Sequence, residues 1–269
     1  MSFIIDGTSG ATFPSGKVQP DASSPYVMKN RIINGAMVIF QRGTAATTDL
    51  TYSIDRWKFV KSNDASESTS QNADAPTGFS YSLRNTIATG DASIGAGQYS
   101  GFEQSIEGYN VADLAWGTAN AKTVTLSFWV RSSVTGTYTG NLRNYNDTRI
   151  NPFNFTVSVA NTWEQKTITV TGDTGGTWQT TTSTGIIVAI YAALGSNYTG
   201  GTANTWGTTP AFGCGSPVNA IASNGNIFAI SGVQLEVGST ATAFEWRPYT
   251  TELQLCQRYL PAFNLNDQY

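Results

Sequence analysis

Histidine is absent from this chain, and cysteine nearly so: Cys214 and Cys256 are its only two. Without an imidazole there is no Ser-His-Asp or Cys-His catalytic constellation and no His-ligated metal site. Two cysteines so far apart in sequence cannot furnish a structural zinc site, and they are expected as free thiols of a protein folded in a reducing compartment. Charge is scarce too. Asp, Glu, Lys and Arg together make up 12% of the residues, about half the usual ~25%, with a net charge of −3. No basic run is present, which argues against phosphate-driven nucleic-acid binding. No apolar run nears the ~20 residues that span a bilayer, and MSFIIDGTSG lacks the basic region of a secretory signal. The expectation is folding in a cytoplasm, with no cofactor, no nucleic acid and no membrane partner.

What the chain has instead is Thr, Gly and aromatic residues. Thr is β-branched and favours strands, while the 27 Gly favour turns. Strand patterns recur from Asn30 onward. KTVTLSFWVRSS sets Val124, Leu126, Phe128 and Val130 on one face and Thr125, Ser127, Trp129 and Arg131 on the other. FNFTVSV points Phe153, Phe155, Val157 and Val159 inward, and WEQKTITVTG does the same with Ile168 and Val170. AMVIFQ, YSIDRWKFV and FSYSLRN also read as strands, and GIIVAIYAAL, apolar on both faces, as a central one. In NIFAISGVQLEV, Phe228 and Ile230 are out of phase with Val233, Leu235 and Val237; a β-bulge at Gly232 restores the inward face. Eight or more strands without long helices predict an all-β fold, an antiparallel two-sheet jelly-roll sandwich whose long crossovers are 171–185 and 195–226.

Both ends depart from this pattern. Residues 1–30, rich in Gly, Pro and Ser, predict an extended N-terminal arm with Phe3, Ile4, Ile5, Phe13 and Pro14 as its attachment points. Residues 31–269 then form the domain. EGYNVADLAWG suggests a short helical insertion capped by Asn110 and carrying Val111, Leu114 and Trp116. A short C-terminal helix is expected over about 251–260, with Thr251 and Gln254 as a capping box and Pro261 as its stop. Its apolar residues Leu253, Leu255, Cys256 and Tyr259 call for burial against the sandwich or a sister chain. Trp129, on the polar face of its strand, needs a cover from a neighbouring subunit or from the 111–116 segment.

ISGVQLEVGSTATAFEWRPYTTELQLCQRYL resembles the C-terminal signature of a family of bacteriophage tail-fibre and related virion proteins. NRIINGAMVIFQRGT followed by YSIDRWKF, and GFEQSIEGYNVADLAWGTANAKTVTLSFWVRSS, resemble further blocks of that family in the same order. GATFPSGKVQ is similar to a T-F-P-D-G-T-x-Q element of fibre proteins, with Ser15 where Asp is usual. The resemblance implies a jelly roll similar to carbohydrate-binding modules, carried on a virion as a homo-oligomer, most often a trimer. The arm would join it to other virion proteins, and the loops would contact host-surface glycan. Alternative roles are a capsid decoration or head-fibre protein and, less in keeping with the residues, a polysaccharide depolymerase.

Aromatic rings stack on sugar faces while amides, carboxylates and guanidinium groups bond the hydroxyls. The segments read as irregular supply Tyr138, Arg143, Tyr145, Asp147 and Arg149, then Trp178, Tyr198 and Trp206 as glycan-contact candidates. The closest carboxylate pair, Glu103 and Glu107, would lie roughly 13 Å apart along a strand. A glycosidase needs about 5–9.5 Å, so both are expected to be structural and the protein not to be an enzyme. Asp55 with Arg56, and Glu245 with Arg247, read as local ion pairs or turn bonds. Asp6, Asp91 and Asp173 sit in Gly-rich contexts but show no calcium-loop pattern, and no metal site is assigned.

Overall fold

A computed structural model of the protein describes residues 28–208 and 211–261, together with the backbone of three short strands ahead of them, β1 (Ile4–Asp6), β2 (Gly10–Thr12) and β3 (Val18–Gln19). These three pair antiparallel in the order β1-β2-β3. Phe3, Phe13 and Pro14 lie outside the described residues, as do the side chains of Ile4, Ile5 and Asp6.

The remaining strands are β4 (Thr51–Ile54), β5 (Trp57–Ser62), β6 (Ser66–Asn72), β7 (Ser82–Thr89), β8 (Tyr99–Glu107), β9 (Val124–Ser132), β10 (Gly136–Arg143), β11 (Ile150–Val157), β12 (Glu164–Val170), β13 (Thr184–Leu194) and β14 (Ile227–Val237). They form two antiparallel sheets, β11-β10-β13-β8-β5-β4 and β12-β9-β14-β7-β6, in a jelly-roll sandwich. Alternation dictates what lies between the sheets. Val124, Leu126, Phe128 and Val130 of β9 are all fully buried there. A stack of rings bridges the layers: Phe102 on Phe228 at 5.8 Å, Phe228 on Tyr138 at 5.3 Å, Tyr138 on Phe155 at 5.5 Å. β13 runs between β10 and β8 and is buried on both faces over most of its length. The slip in β14 is a bulge: the register with β9 shifts between Ser231 and Gln234, and Gly232 has φ +58. Phe228, Ile230, Val233 and Leu235 therefore all face the core.

Several local expectations are corrected. YSIDRWKFV is a hairpin, β4 and β5, turned at Asp55-Arg56, where Arg56 has φ +72. AMVIFQ is not a strand. Asn34 and Met37 adopt left-handed backbone, and the Asn34 side chain replaces ladder bonds by accepting from Ile39 N (3.0 Å) and donating to the carbonyls of Ile39 and Asp55 (2.8 and 2.9 Å). Phe79 and Tyr81 precede β7 rather than belonging to it. Val159 and Val237, expected inward, are exposed because each sits at or past its strand's end. Asn110 caps nothing; two 3-10 turns, Gly108–Asn110 and Ala112–Leu114, carry Val111 and Leu114 inward, and Trp116, just beyond them, is buried as well.

The C-terminal helix α1 spans Tyr249–Gln257 with Pro248 as N-cap and no side-chain cap bond, so the Thr251–Gln254 box does not form. The proline starts the helix two residues earlier and leaves Thr251 inside the first turn. Glu252 instead reaches across to accept from Asn34 N and from Arg247. Cys256 is buried with Ile33 and Ile39, and Val38, Leu253, Leu255 and Tyr259 pack around them. The stripe thus closes on its own chain's 33–39 segment. Both cysteines are free and buried, and burial pushes each thiol's pKa up.

One ion pair fastens the helix end to β8. Arg258 donates to Glu107 through Nε and Nη2 (2.9 and 2.6 Å), and Tyr259 adds its hydroxyl at 2.6 Å. The Arg258 bonds hold the Glu107 carboxyl below its ordinary value, against burial, which raises it. A carboxylate with a depressed folded pKa contributes stability that is present above its unfolded value, about pH 4.3, and is lost as pH falls through the folded pKa. Glu107→Gln is expected to cost about 1–2 kcal/mol at pH 7, the partner being partly exposed. Urea midpoints of the two proteins, measured from pH 7 to pH 3, should converge below about pH 4; a gap independent of pH would contradict the assignment.

Candidate functional site

The outer face of the six-stranded sheet carries the site. Phe59, Phe102, Tyr138, Leu142, Val188 and Ile190 point into the core. Their neighbours Val60, Glu103, Asn141, Arg143, Ala189 and Tyr191 therefore point outward. In the register of the sheet, Asn141, Ala189, Glu103 and Lys58 form one row and Thr139, Tyr191, Gly101 and Val60 the next. The 195–226 crossover folds over this face. It adds Tyr198, from the 3-10 turn Ser196–Tyr198, and Phe212. Asn141 anchors that crossover by donating to the Phe212 carbonyl at 2.7 Å. Gly101 is required beneath: a Cβ there would lie 2.6 Å from the Ile190 carbonyl and 2.8 Å from the Tyr191 ring.

The result is a groove of about 250 Å³. Tyr99, Tyr191, Tyr198, Phe212 and Leu50 supply its apolar surface, and Glu103, Arg143 and Asp147 its charge. Tyr198 meets Tyr99 edge-on at 5.9 Å and Phe212 at 5.6 Å. Arg143 is the centre of the polar half. It donates through Nε to Asp147 (2.7 Å), through Nη1 to Asn141 (3.1 Å) and through Nη2 to Glu103 (2.5 Å), and lies 5.3 Å from the Phe212 ring centre. Burial draws the guanidinium's pKa down, but electrostatic coupling to Tyr191, Glu103 and Asp147 outweighs it and leaves the pKa raised. Burial likewise pushes the Tyr191 phenol up, so it serves as a neutral hydroxyl. Among the described residues, Oε2 of Glu103 and Oδ2 of Asp147 meet no protein donor, so each carboxylate retains an open acceptor. Flat rings beside fixed acceptors suit a ligand with apolar faces and hydroxyl edges.

Of the residues expected to contact ligand, Arg143, Asp147 and Tyr198 meet in this groove. Tyr138 does not: it is fully buried on the opposite face of β10, its hydroxyl bonding Ser132 Oγ (2.8 Å) and the Val134 carbonyl (2.6 Å). GTYTGNLR, whose Thr and Gly content suggests a loop, is β10. Tyr145 is exposed in the β10–β11 connection, outside the groove. Trp178 and Trp206 lie elsewhere, packed edge-on with Trp116 at 4.7–5.4 Å. Their indole N–H groups are taken by Asp173 and Gly175 and by the Thr171 carbonyl, so the trio plugs the crossover after β12.

No protein-family model matches the sequence, and no curated protein matches it. Solved structures share the fold. The enzymatically active domain of bacteriophage CBA120 tailspike protein 4 aligns at TM-score 0.40 and 13% identity, over 80% of this chain and 22% of that one. A CBM4 module aligns at 0.41 and 15%, over 76% and 98% of the two chains. TmCBM61, solved with β-1,4-galactotriose, aligns at 0.39 and 11%, over 78% and 100%. The likeness is one of fold alone, and this chain spans less than a quarter of that tailspike domain.

The other candidate chemistry resolves into structural pairs. Glu103 and Glu107 do share the outer face of β8, but Arg143 takes one and Arg258 the other. Arg149 clamps Asp173 through two bonds, Nε at 2.7 Å and Nη2 at 2.5 Å, and Asp91 accepts from the backbone of Asp64 and Ser93. Among the described residues no group of three or more His, Cys, Asp or Glu is placed to hold a metal, and no helix is long and apolar enough to cross a membrane. Glu245 and Arg247 are paired at 3.2 Å. Asp55 and Arg56 are not: Asp55 accepts from Gln41, while Arg56 turns to the Ser105 carbonyl. Trp129 flanks Gly232 together with Phe79, whose ring packs on Phe244 and Trp246, so it neighbours this cluster rather than the 111–116 segment.

Tyr99, Glu103, Tyr191 and Phe212 were not among the expected contacts. Tyr99 and Glu103 show a signal after the fact, since YSGFEQSIE alternates. Tyr191 is hidden inside a continuous apolar run.

Proposed function

We propose that the protein is a non-enzymatic, glycan-binding virion protein that holds sugar in the groove on the outer face of the six-stranded sheet. One observation carries the binding reading: aromatic rings from β8, β13 and the long crossover converge with two carboxylates held by a single buried arginine. Arg143 fills the space between Glu103 and Asp147, where a glycosidase would need its scissile bond, and this favours binding over cleavage. The virion assignment, with residues 1–30 as the arm for attachment to the particle or for trimer formation, rests on the sequence blocks that resemble phage fibre proteins.

The test is a glycan array probed with the full chain, followed by affinities for its best ligand. Asp147→Asn, at a partly exposed position, should weaken binding about tenfold by loss of a charged acceptor. Tyr198→Ala should weaken it about fivefold by loss of a stacking surface. Wild-type affinity in both variants, or release of reducing ends from the bound glycan, would overturn the reading.

A further inference from the structure

A second cavity of about 240 Å³ lies on the same outer face, next to the groove along β8. Glu103 lines the groove and Ser105, two residues on and roughly 7 Å along the strand, lines the second cavity. The character changes between them. The second cavity holds Arg56, Lys58, Ser105, Thr184 and Tyr259, with Glu107 as its one carboxylate. Glu107 is already committed: its two oxygens accept from Arg258 and the Tyr259 hydroxyl.

Two cations are thereby left without a carboxylate partner among the described residues. Arg56 is more than nine-tenths buried. Its guanidinium lies 3.5 Å over the Tyr259 ring and donates to the neutral Ser105 carbonyl, while its Nε has no partner. Lys58 has its ammonium 5.5 Å from the Tyr52 ring centre and forms no ion pair, because Glu103, its register partner across β5 and β8, is turned to Arg143. A buried guanidinium without a counterion is costly to keep, and burial holds its pKa below the ordinary value, with Tyr259 and Glu107 only partly compensating.

We propose that this cavity is the subsite for an acidic sugar, so that the ligand is a glycan carrying a carboxylate one subsite away from the unit held at Arg143. The inference rests on the glycan-binding reading and names the substrate class for it. The carboxylate would sit against Lys58 and Arg56, and the hydroxyls of Thr184 and Ser105 would take the ring substituents. The ligand would lie along β8, across both cavities.

The experiment pairs uronate-containing oligosaccharides on an array with the same oligosaccharides after reduction of their carboxyls to alcohols, and includes sulfated analogues. Wild-type protein is expected to bind each acidic member about tenfold tighter than its reduced partner, the scale of one charge-assisted hydrogen bond. Lys58→Met, a change at a half-buried surface position, should lower that ratio severalfold, with Arg56 holding the remainder; a thermal melt verifies that the variant folds. Equal binding of acidic and reduced members, with the Asp147→Asn loss still present, overturns the acidic subsite and leaves the groove standing. Preference for the sulfated members overturns the carboxylate assignment. Binding of none overturns both readings.

Discussion

Gly232→Val is expected to cost about 3 kcal/mol, a loss that urea unfolding of variant and wild type would measure. Two terms add. Position 232 has φ +58, where a β-branched residue is strained by roughly 1–2 kcal/mol. A Cβ there would also lie 2.6 Å from Phe79 Cζ and 3.0 Å from Trp129 Cδ1, and Phe79 cannot swing aside freely because Phe244 and Trp246 pack against it. Overpacking of this kind costs about 1–3 kcal/mol. The same geometry says that deleting Gly232 should do less harm than filling it. Without it, Ile230 inward, Ser231 outward and Val233 inward form an ordinary alternation, and Gln234 keeps its place opposite Ser127. If the deletion proves as damaging as the valine, the bulge matters for its twist as well as for phase.

That bulge was legible because it breaks a strong period: Phe228, Ile230, Val233 and Leu235 of β14 can share the buried face only through one extra residue. β9 was legible for the same reason, one face being wholly buried. The turn between β4 and β5 gave no such sign. Turns with positive φ are signalled by Gly or Asn, and here Arg56 occupies the position. AMVIFQ failed differently. It is buried and apolar, yet its backbone bonds run through the Asn34 side chain, a local substitution that hydrophobic period does not reveal. For the site, residue type picked out Arg143, Asp147 and Tyr198. Their partners come from β8 and β13, dozens of residues away, and which strands become neighbours is a property of the topology. Tyr138 shows the limit of residue type: the same ring one face over is core.

Arg143→Met should be the most damaging change at the site, costing about 3 kcal/mol in stability and removing detectable glycan binding. Removing one member of a buried ion pair costs about 3–5 kcal/mol, and the lower end applies because Asp147 is partly exposed. The loss is chiefly that of leaving Glu103, 13% exposed, without its cation. It follows that Arg143→Met with Glu103→Gln should be more stable than Arg143→Met alone, since the second change removes the stranded charge. Binding should not return with it: Asn141 and Asp147 would have lost the donor that orients them, and Phe212 the cation beside its ring. Urea midpoints and array binding of the single and double variants separate these effects. Recovery of stability without recovery of binding identifies Arg143 as the group that shapes the groove; recovery of both would mean that neither Arg143 nor the Glu103 carboxylate is needed to hold the ligand.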